Sequence, residues 1–344
     1  MKYCSNPDCP NPANPDENRF CQNCGARLLA EEGIFGAGLA QISQPSSSGQ
    51  GWRCVKTIVG HDSWVRSVAV APNTQFIASG SGDKTVKLWQ LESGKLLHTL
   101  SGHIAWVRAI AISPDSRIVA SASNDKTIKL WDTARGKLIE TLTGHSDWVR
   151  SVQFVSSKVL VSGGHDQTIQ LWRLGGQPEV RSLSGHDHWV TSVAYSEEQQ
   201  MLASGSQDST VKLWSLPTGK LVATLIGHTE SVEAIALNPE GQLLASGSQD
   251  QTVKLWNVSN GKLVKTLKGH TDAVDAVAFQ PHSAVLASSG KDKTIRFWDT
   301  KSGELLCTLL GHEGWVFSLA FSPDGQTLVS GGWDQAIKIW RLDS

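Results

Sequence analysis

Seven Gly-His dipeptides, Gly60-His61, Gly102-His103, Gly144-His145, Gly185-His186, Gly227-His228, Gly269-His270 and Gly311-His312, divide most of this 344-residue chain into units of 41 or 42 residues. An Asp follows each His after 21 or 22 residues: Asp83, Asp125, Asp166, Asp208, Asp250, Asp292 and Asp334. Six residues beyond each Asp stands a Trp: Trp89, Trp131, Trp172, Trp214, Trp256, Trp298 and Trp340. Such a period means that one supersecondary unit is stacked again and again, each copy burying a face that it could not bury alone. The run after each Asp alternates, as in Thr85-Val86-Lys87-Leu88-Trp89, which is the period of a half-buried strand. The Asp itself falls in a short turn between two strands, where its carboxylate can cap backbone N–H groups.

The segment ASGSGDKTVKLW at 78–89 recurs as ASASNDKTIKLW, VSGGHDQTIQLW, ASGSQDSTVKLW, ASGSQDQTVKLW, ASSGKDKTIRFW and VSGGWDQAIKIW. With the Gly-His and Trp punctuation, it resembles the WD-repeat family of β-propellers over residues 53 to 344. The resemblance implies an all-β fold, a seven-bladed propeller with four strands per blade, serving as a rigid platform for protein partners and seldom as an enzyme. It also implies a hydrogen-bonded tetrad in each blade. In the first blade this is His61, Ser79, Asp83 and Trp89; in the second, His103, Ser121, Asp125 and Trp131. An Asp follows the Trp only at Asp132 and Asp299, a departure that leaves the fold expectation intact.

Register predicts how the ring closes. Residues 53–59, RCVKTIV, align with KLLHTL at 95–100 and ELLCTL at 304–309, each just before a Gly-His. The chain thus starts with a lone outer strand and ends at Trp340 after an inner one, and pairing the two hides both edges. The recurring Ser, His and Asp are also the parts of a nucleophilic triad. Seven copies at a fixed period read instead as blade cement, and no Gly-x-Ser-x-Gly elbow is placed between a strand and a helix.

The formal net charge of −1 removes any global pull toward nucleic acid or anionic membrane. No apolar run reaches the 18 or so residues of a spanning helix, so no membrane insertion is expected. The start, Met1-Lys2-Tyr3-Cys4, lacks an apolar signal core, which predicts a cytoplasmic protein with reduced thiols.

The first 30 residues lie outside the repeat and carry four of the six cysteines, as Cys4-x4-Cys9 and Cys21-x2-Cys24. Two paired clusters in a reducing compartment read as a tetrahedral thiolate site for structural Zn2+, with Gly25 allowing the backbone reversal after Cys24. This head resembles the short zinc ribbons at the front of some bacterial regulatory proteins. Many ribbons bind nucleic acid, but Lys2, Arg19 and Arg27 are balanced by Asp8, Asp16 and Glu17, so phosphate affinity has little source. A structural or protein-contacting head is expected. Residues 31–51, EEGIFGAGLAQISQPSSSGQG, read as a flexible linker. The expected organisation is therefore 1–30 head, 31–51 linker and 52–344 propeller.

Comparing repeats within the chain separates scaffold from surface. Four residues after each His the residue is always Val, from Val65 to Val316, and these are core. Three residues after the His come Trp64, Trp106, Trp148, Trp189, Ser231, Ala273 and Trp315; five after it come Arg66, Arg108, Arg150, Thr191, Glu233, Asp275 and Phe317. Just before each Asp stand Gly82, Asn124, His165, Gln207, Gln249, Lys291 and Trp333. All three sets share one rim, and the resemblance places the positions five after the His near the mouth of the central channel. The expected partner site is an exposed patch of Trp64, Arg66, Trp106, Arg108, Trp148, Arg150, Trp189, Trp315, Phe317 and Trp333, residue types that dominate interface hot spots. The alternative is that the rings fold flat over the blades while the arginines pair with Glu233 and Asp275. His188 and His282 read as solvated loop residues.

The function expected is a non-enzymatic scaffold or adaptor that holds a protein or peptide partner bearing acidic and apolar groups. Two other classes stay open. A propeller hydrolase or metal enzyme would act at the channel mouth, although the sequence shows no nucleophile, paired carboxylates or open metal site there. A nucleic-acid-binding ribbon with the propeller as recruiter is the third reading.

Overall fold

The 42-residue unit folds as four antiparallel strands because its apolar residues alternate between turns rich in Gly, Asp and Ser. In the computed structural model, which describes residues 2–4, 13–14, 28–30, 51–175 and 179–342, seven four-stranded sheets form in this way. The first comprises Val65–Val70, Phe76–Ser81, Thr85–Gln90 and Leu96–Ser101, paired in chain order from the channel outward. Its second strand is buried throughout, whereas its outermost strand buries only Leu100. The fold is an all-β, seven-bladed propeller.

The hairpin between the second and third strands carries the Asp. Lys84 N–H donates to Ser81 O at 3.2 Å, and Lys84 adopts φ of +69°, so a tight turn is followed by one left-handed residue. Lys126, Gln167, Ser209, Gln251, Lys293 and Gln335 take the same conformation in the other blades. A non-glycine residue is held there because the preceding Asp pins the turn. Asp83 Oδ1 accepts from Thr85 N at 2.9 Å and from Thr85 Oγ1 at 2.7 Å.

Blades pack face to face through apolar clusters, as where Ala78, Val86, Leu88 and Leu100 of blade 1 meet Val107, Ile110, Val119 and Trp131 of blade 2. The fit is close enough to demand glycine. A Cβ on Gly80 would lie 2.6 Å from Val107 Cγ1, the fully buried valine that follows the next His. Serine hydroxyls on the inner strands add polar ties: Ser67, Ser151, Ser192 and Ser318 Oγ accept from Ile110, Val193, Ile235 and Val68 N–H of the following blade.

The ring closes through Trp52–Val59, which pairs antiparallel with Ala336–Leu342 as the outer strand of blade 7. Trp52 stacks on Phe297 of blade 6 at 5.2 Å and meets Phe321 of blade 7 edge-on at 5.9 Å. The chain divides into two units, Met1–Ser48 and Gly49–Ser344. In the first, Lys2–Cys4 pairs with Ala13–Asn14 and Leu28–Ala30. Cys9, Cys21 and Cys24 of the expected zinc site, and the expected linker up to residue 50, lie outside the described residues; Cys4 ends its strand. Among the described residues no helix is long and apolar enough to cross a membrane.

Candidate partner-binding face

The tetrads set the rim. His61 Nδ1 lies 2.7 Å from Asp83 Oδ2, His61 Nε2 lies 2.7 Å from Ser79 Oγ, and Trp89 Nε1 donates to Ser79 Oγ at 2.8 Å. Indole N–H can only donate and an ionised carboxylate can only accept. One assignment therefore satisfies every group: Trp to Ser, Ser hydroxyl to His Nε2, His Nδ1–H to Asp. Burial alone would raise the Asp83 carboxyl, but hydrogen bonds from His61 and Thr85 hold it well below the ordinary carboxylate range. The second blade repeats the set with His103, Asp125, Ser121 and Trp131, at 2.6, 2.7 and 2.8 Å along the same chain. Blade 7 lacks the threonine, since Ala336 stands where Thr85 does, and its Asp334 Oδ1 takes the Ala336 N–H at 3.3 Å. Ser79 is fully buried, its Oγ enclosed between His61 Nε2 and Trp89 Nε1, so no substrate can reach it.

Holding His and Asp together brings two loops of each blade to one rim. The residue before the Asp then donates its N–H to the carbonyl three residues past the His: Gly82 to Trp64, His165 to Trp148, Gln249 to Ser231, Trp333 to Trp315. The side chains of these loops form a continuous aromatic rail. Trp315 meets Trp333 at 5.3 Å, Trp333 stacks on Trp64 at 5.7 Å, and Trp64 meets Trp106 edge-on at 5.0 Å. Arg108 carries the rail onward, its guanidinium 5.5, 5.0 and 5.8 Å from the Trp64, Trp106 and Trp148 rings, with Nε donating to Asn124 Oδ1 at 2.9 Å. Trp148 then meets His165 at 4.8 Å, and His165 lies flat on Trp189 at 3.7 Å. Burial, with Arg150 and Arg108 adding in the same direction, pushes His165 far below the ordinary histidine range and keeps it neutral.

Charges converge just inside the rail. Arg150 Nη2 reaches Glu233 Oε2 at 3.3 Å, and Glu233 Oε1 accepts from Ser231 Oγ at 2.9 Å and Gln249 Nε2 at 2.7 Å. Burial pulls the Glu233 carboxyl upward, but Arg150, Arg66 and Lys291 overcome it and leave Glu233 ionised. Asp275 fares differently: burial pushes it up to about 6 against Lys291 and Arg66, and Glu233 adds to the rise. Beneath the mouth lies a cavity of about 610 Å³, lined by the inner strands and by Pro72 and Pro114 at their far ends.

The expectation of an exposed tryptophan-arginine patch is corrected by this packing. Trp64 is 4%, Arg108 6% and Phe317 8% exposed, and the Arg150 side chain is 7% exposed. Rings of adjacent blades converge and cover one another, Arg66 sits 4.6 Å over Phe317, and Arg108 is enclosed by three indoles. Arg66, Trp106, Trp148, Trp189, Trp315 and Trp333 keep partial exposure. His188 is also less solvated than expected: its Nδ1 accepts from Trp189 N–H at 2.9 Å. Sequence reasoning assigned no role to His165, Asn124 or Gln249, although all stand in the register of Trp333. Among the described residues no cluster of His, Cys, Asp or Glu could hold a metal ion.

Residues 52–90, 94–132 and 136–173 match the family model described as WD domain, G-beta repeat, and residues 176–342 match that of the WDR3 first beta-propeller domain. The propeller belongs to the WD-repeat family. Among curated relatives, a WD-repeat stretch is similar to Pre-mRNA-splicing factor PRP46 of Yarrowia lipolytica, 48% identical over 62 residues, which is 18% of this chain and 14% of the relative. Pleiotropic regulator 1 of Homo sapiens is 49% identical over 45 residues, 13% of this chain and 9% of the relative. Nuclear distribution protein PAC1 of Scheffersomyces stipitis is 51% identical over 45 residues, 13% and 8%. This WD-repeat chain thus spans about a seventh or less of each relative's length, so these likenesses cover little more than one blade.

Proposed function

We propose that the chain is a non-enzymatic scaffold that holds a protein or peptide partner on the propeller face carrying the aromatic rail. One observation carries this reading: the rail crosses five adjacent blades, yet Ser231 and Ala273 show that a blade folds without a tryptophan there. Half-exposed indoles beside buried cations are the material of interface hot spots. Repeats like these occur in relatives named as a splicing factor, a regulator and a nuclear distribution protein, and none of those names is an enzyme's.

A cytoplasmic setting belongs to the same reading, with Cys54 and Cys307 free as a reducing compartment allows. So does Zn2+ held by Cys4, Cys9, Cys21 and Cys24, which rests on their spacing and is tested by metal analysis of the purified chain before and after Cys21→Ser and Cys24→Ser. The face is tested by affinity purification with the intact chain. Trp106→Ala with Trp148→Ala should release the bound protein, while Thr229→Ala with Thr271→Ala, on the tryptophan-free arc, should retain it. The reverse pattern would put the partner on the other arc.

A further inference from the structure

The turn joining the third and fourth strands of blade 5, Thr252–Asn257 and Leu263–Lys268, carries the chain's one Asn-Gly pair, Asn260-Gly261. The third strand starts beside Asp250 on the rim of the rail, so a turn at its far end stands on the opposite rim. Blades 1 and 6 have Ser93-Gly94 and Ser302-Gly303 at this place, and blade 4 has Thr218-Gly219. The turn therefore demands the glycine, left-handed at φ of +67° in blade 5, and not the asparagine before it.

The geometry of the turn bears directly on the Asn260 carboxamide. Its Oδ1 accepts from Lys262 N–H at 3.0 Å, which folds the side chain over the Gly261 peptide and draws electron density from Cγ. Asn260 is exposed, so water and base reach it. Gly261 N–H donates to Asn257 O at 2.9 Å, one bond in an exposed turn that opens before the nitrogen can react. Neighbouring residues lack one or another of these features. Asn257 Oδ1 accepts from Ser259 N–H at 3.0 Å and Asn260 N–H at 3.2 Å, and the branched side chain of Val258 screens the peptide nitrogen after it. Asn238 precedes Pro239, which has no N–H. Asp324-Gly325 shares the left-handed glycine, at φ of +70°, but hydrogen bonds from Ser322 and Gln326 hold its carboxyl below the ordinary range. An ionised carboxylate resists a nucleophile that a neutral carboxamide accepts.

We propose that Asn260 is a site of spontaneous covalent modification, at which the Gly261 nitrogen displaces the side-chain amide and water converts the turn to aspartate or isoaspartate. Base takes the Gly261 amide proton, the nitrogen bonds to Asn260 Cγ, and the Cγ–Nδ2 bond breaks, Nδ2 leaving as ammonia. Water then opens the cyclic imide. Cleavage at Cγ gives aspartate, and cleavage at the backbone carbonyl carbon gives isoaspartate, whose main chain runs through Cβ and Cγ. Both products place a negative charge beside Lys262. Isoaspartate also disturbs the packing. Gly261 lies against blade 4, where a Cβ built on it would stand 3.1 Å from Leu225 Cδ2, and Leu225 is 2% exposed. A methylene added to the main chain there pushes Gly261 onto that wall or breaks its bond to Asn257 O, and either loosens the seam between blades 4 and 5.

The test ages the full chain in mildly alkaline buffer at physiological temperature over weeks, with samples digested by trypsin and weighed by mass spectrometry. Cleavage after Lys254 and Lys262 releases one peptide, Leu255–Lys262, that holds both Asn257 and Asn260, so one asparagine controls for the other. Acid should replace amide at Asn260 alone, with isoaspartate in excess, and faster at higher pH because the attacking nitrogen must lose its proton. Asn260→Ser, which installs the residue of blades 1 and 6, should fold normally, show no conversion and keep its melting temperature on ageing. The aged parent should melt lower in proportion to its isoaspartate content. The site is overturned if Asn260 keeps its amide in the folded chain, whether or not it converts in urea, or if Asn257 converts as fast. An aged parent that contains isoaspartate yet melts like the fresh protein would overturn the loosened seam.

Discussion

Arg150 and Glu233 form a side-chain ion pair across the channel mouth, joining blade 3 to blade 5 at 3.3 Å with both side chains 7% exposed. Such a pair does not simply add stability. Desolvating two charges offsets most of their attraction, yet removing one strands the other. Glu233→Ala should therefore lower stability by about 3–5 kcal/mol. Arg150→Met combined with Glu233→Leu should recover most of that loss. Urea unfolding of the two variants checks this, and a double variant as unstable as the single one would show that the pair is intrinsically stabilising.

Asp275 makes stability depend on pH in an unusual direction. Its carboxyl is pushed from an ordinary 3.8 up to about 6, so the folded state holds the proton more tightly than the unfolded one. Its favourable contribution is complete below about 3.8 and disappears as pH rises through 6. The tetrad carboxylates run the other way. Asp292, where burial is outweighed by the hydrogen bond and charge of His270 and by Thr294, is lowered to about 2, so its contribution is complete above the ordinary 3.8 and is lost as pH falls through 2. Asp275→Asn should accordingly raise the melting temperature at pH 7.5, by the equivalent of up to about 3 kcal/mol. The gain should vanish near pH 4. A gap between variant and parent that is constant from pH 4 to 8 would contradict the assignment.

Inter-blade serines point to three sites where the protein is short of a hydrogen bond. Ala109, Ala234 and Ala276 occupy the register of Ser67, so among the described residues no side chain receives the N–H of Val152, Val277 or Leu319. Ala109→Ser and Ala234→Ser should each stabilise by about 0.5–1.5 kcal/mol. Thermal melts of the single variants and the pair decide the matter, with near-additive gains expected because blades 2 and 5 are not neighbours.

What the sequence made legible follows from repetition. His61, Ser79, Asp83 and Trp89 recur at fixed spacing, and a contact made within one blade must be made seven times, so period alone identifies it. Burial on the rim does not work that way. Trp64 and Trp106 hold the same repeat position, yet Trp64 is 4% exposed and Trp106 is not fully covered, because Trp333 of blade 7 stacks on Trp64. Blade 1 supplies only Gly82 at the matching place beside Trp106. Likewise His165 is set by Trp189 of the next blade. Cross-blade relations of this kind depend on which variable residues become neighbours after closure, and comparison of aligned repeats does not contain them.

Closure itself yields the last prediction. Trp52–Val59 contributes the only strand of blade 7 that comes from the start of the propeller, pairing from Ala336↔Val59 to Leu342↔Trp52. Trp52 anchors it, 9% exposed, against Phe297 and Phe321, while Ile58 is 6% exposed beside Ile337 and Val65. Removing residues 1–48 leaves this clasp whole, so the propeller's thermal transition should stay nearly unchanged. Removing residues 1–58 takes the strand away and exposes the edge of Ala336–Leu342, which can then pair with another molecule. Trp52→Ala isolates the anchor from the strand and should cost about 3–5 kcal/mol, the range for emptying a buried aromatic site. Melting curves and light scattering on the three proteins separate these effects: a small change, then a large drop with association, then a large drop without it. Equal melting temperatures for the two truncations would mean that blade 7 stands on three strands and that the ring does not depend on its clasp.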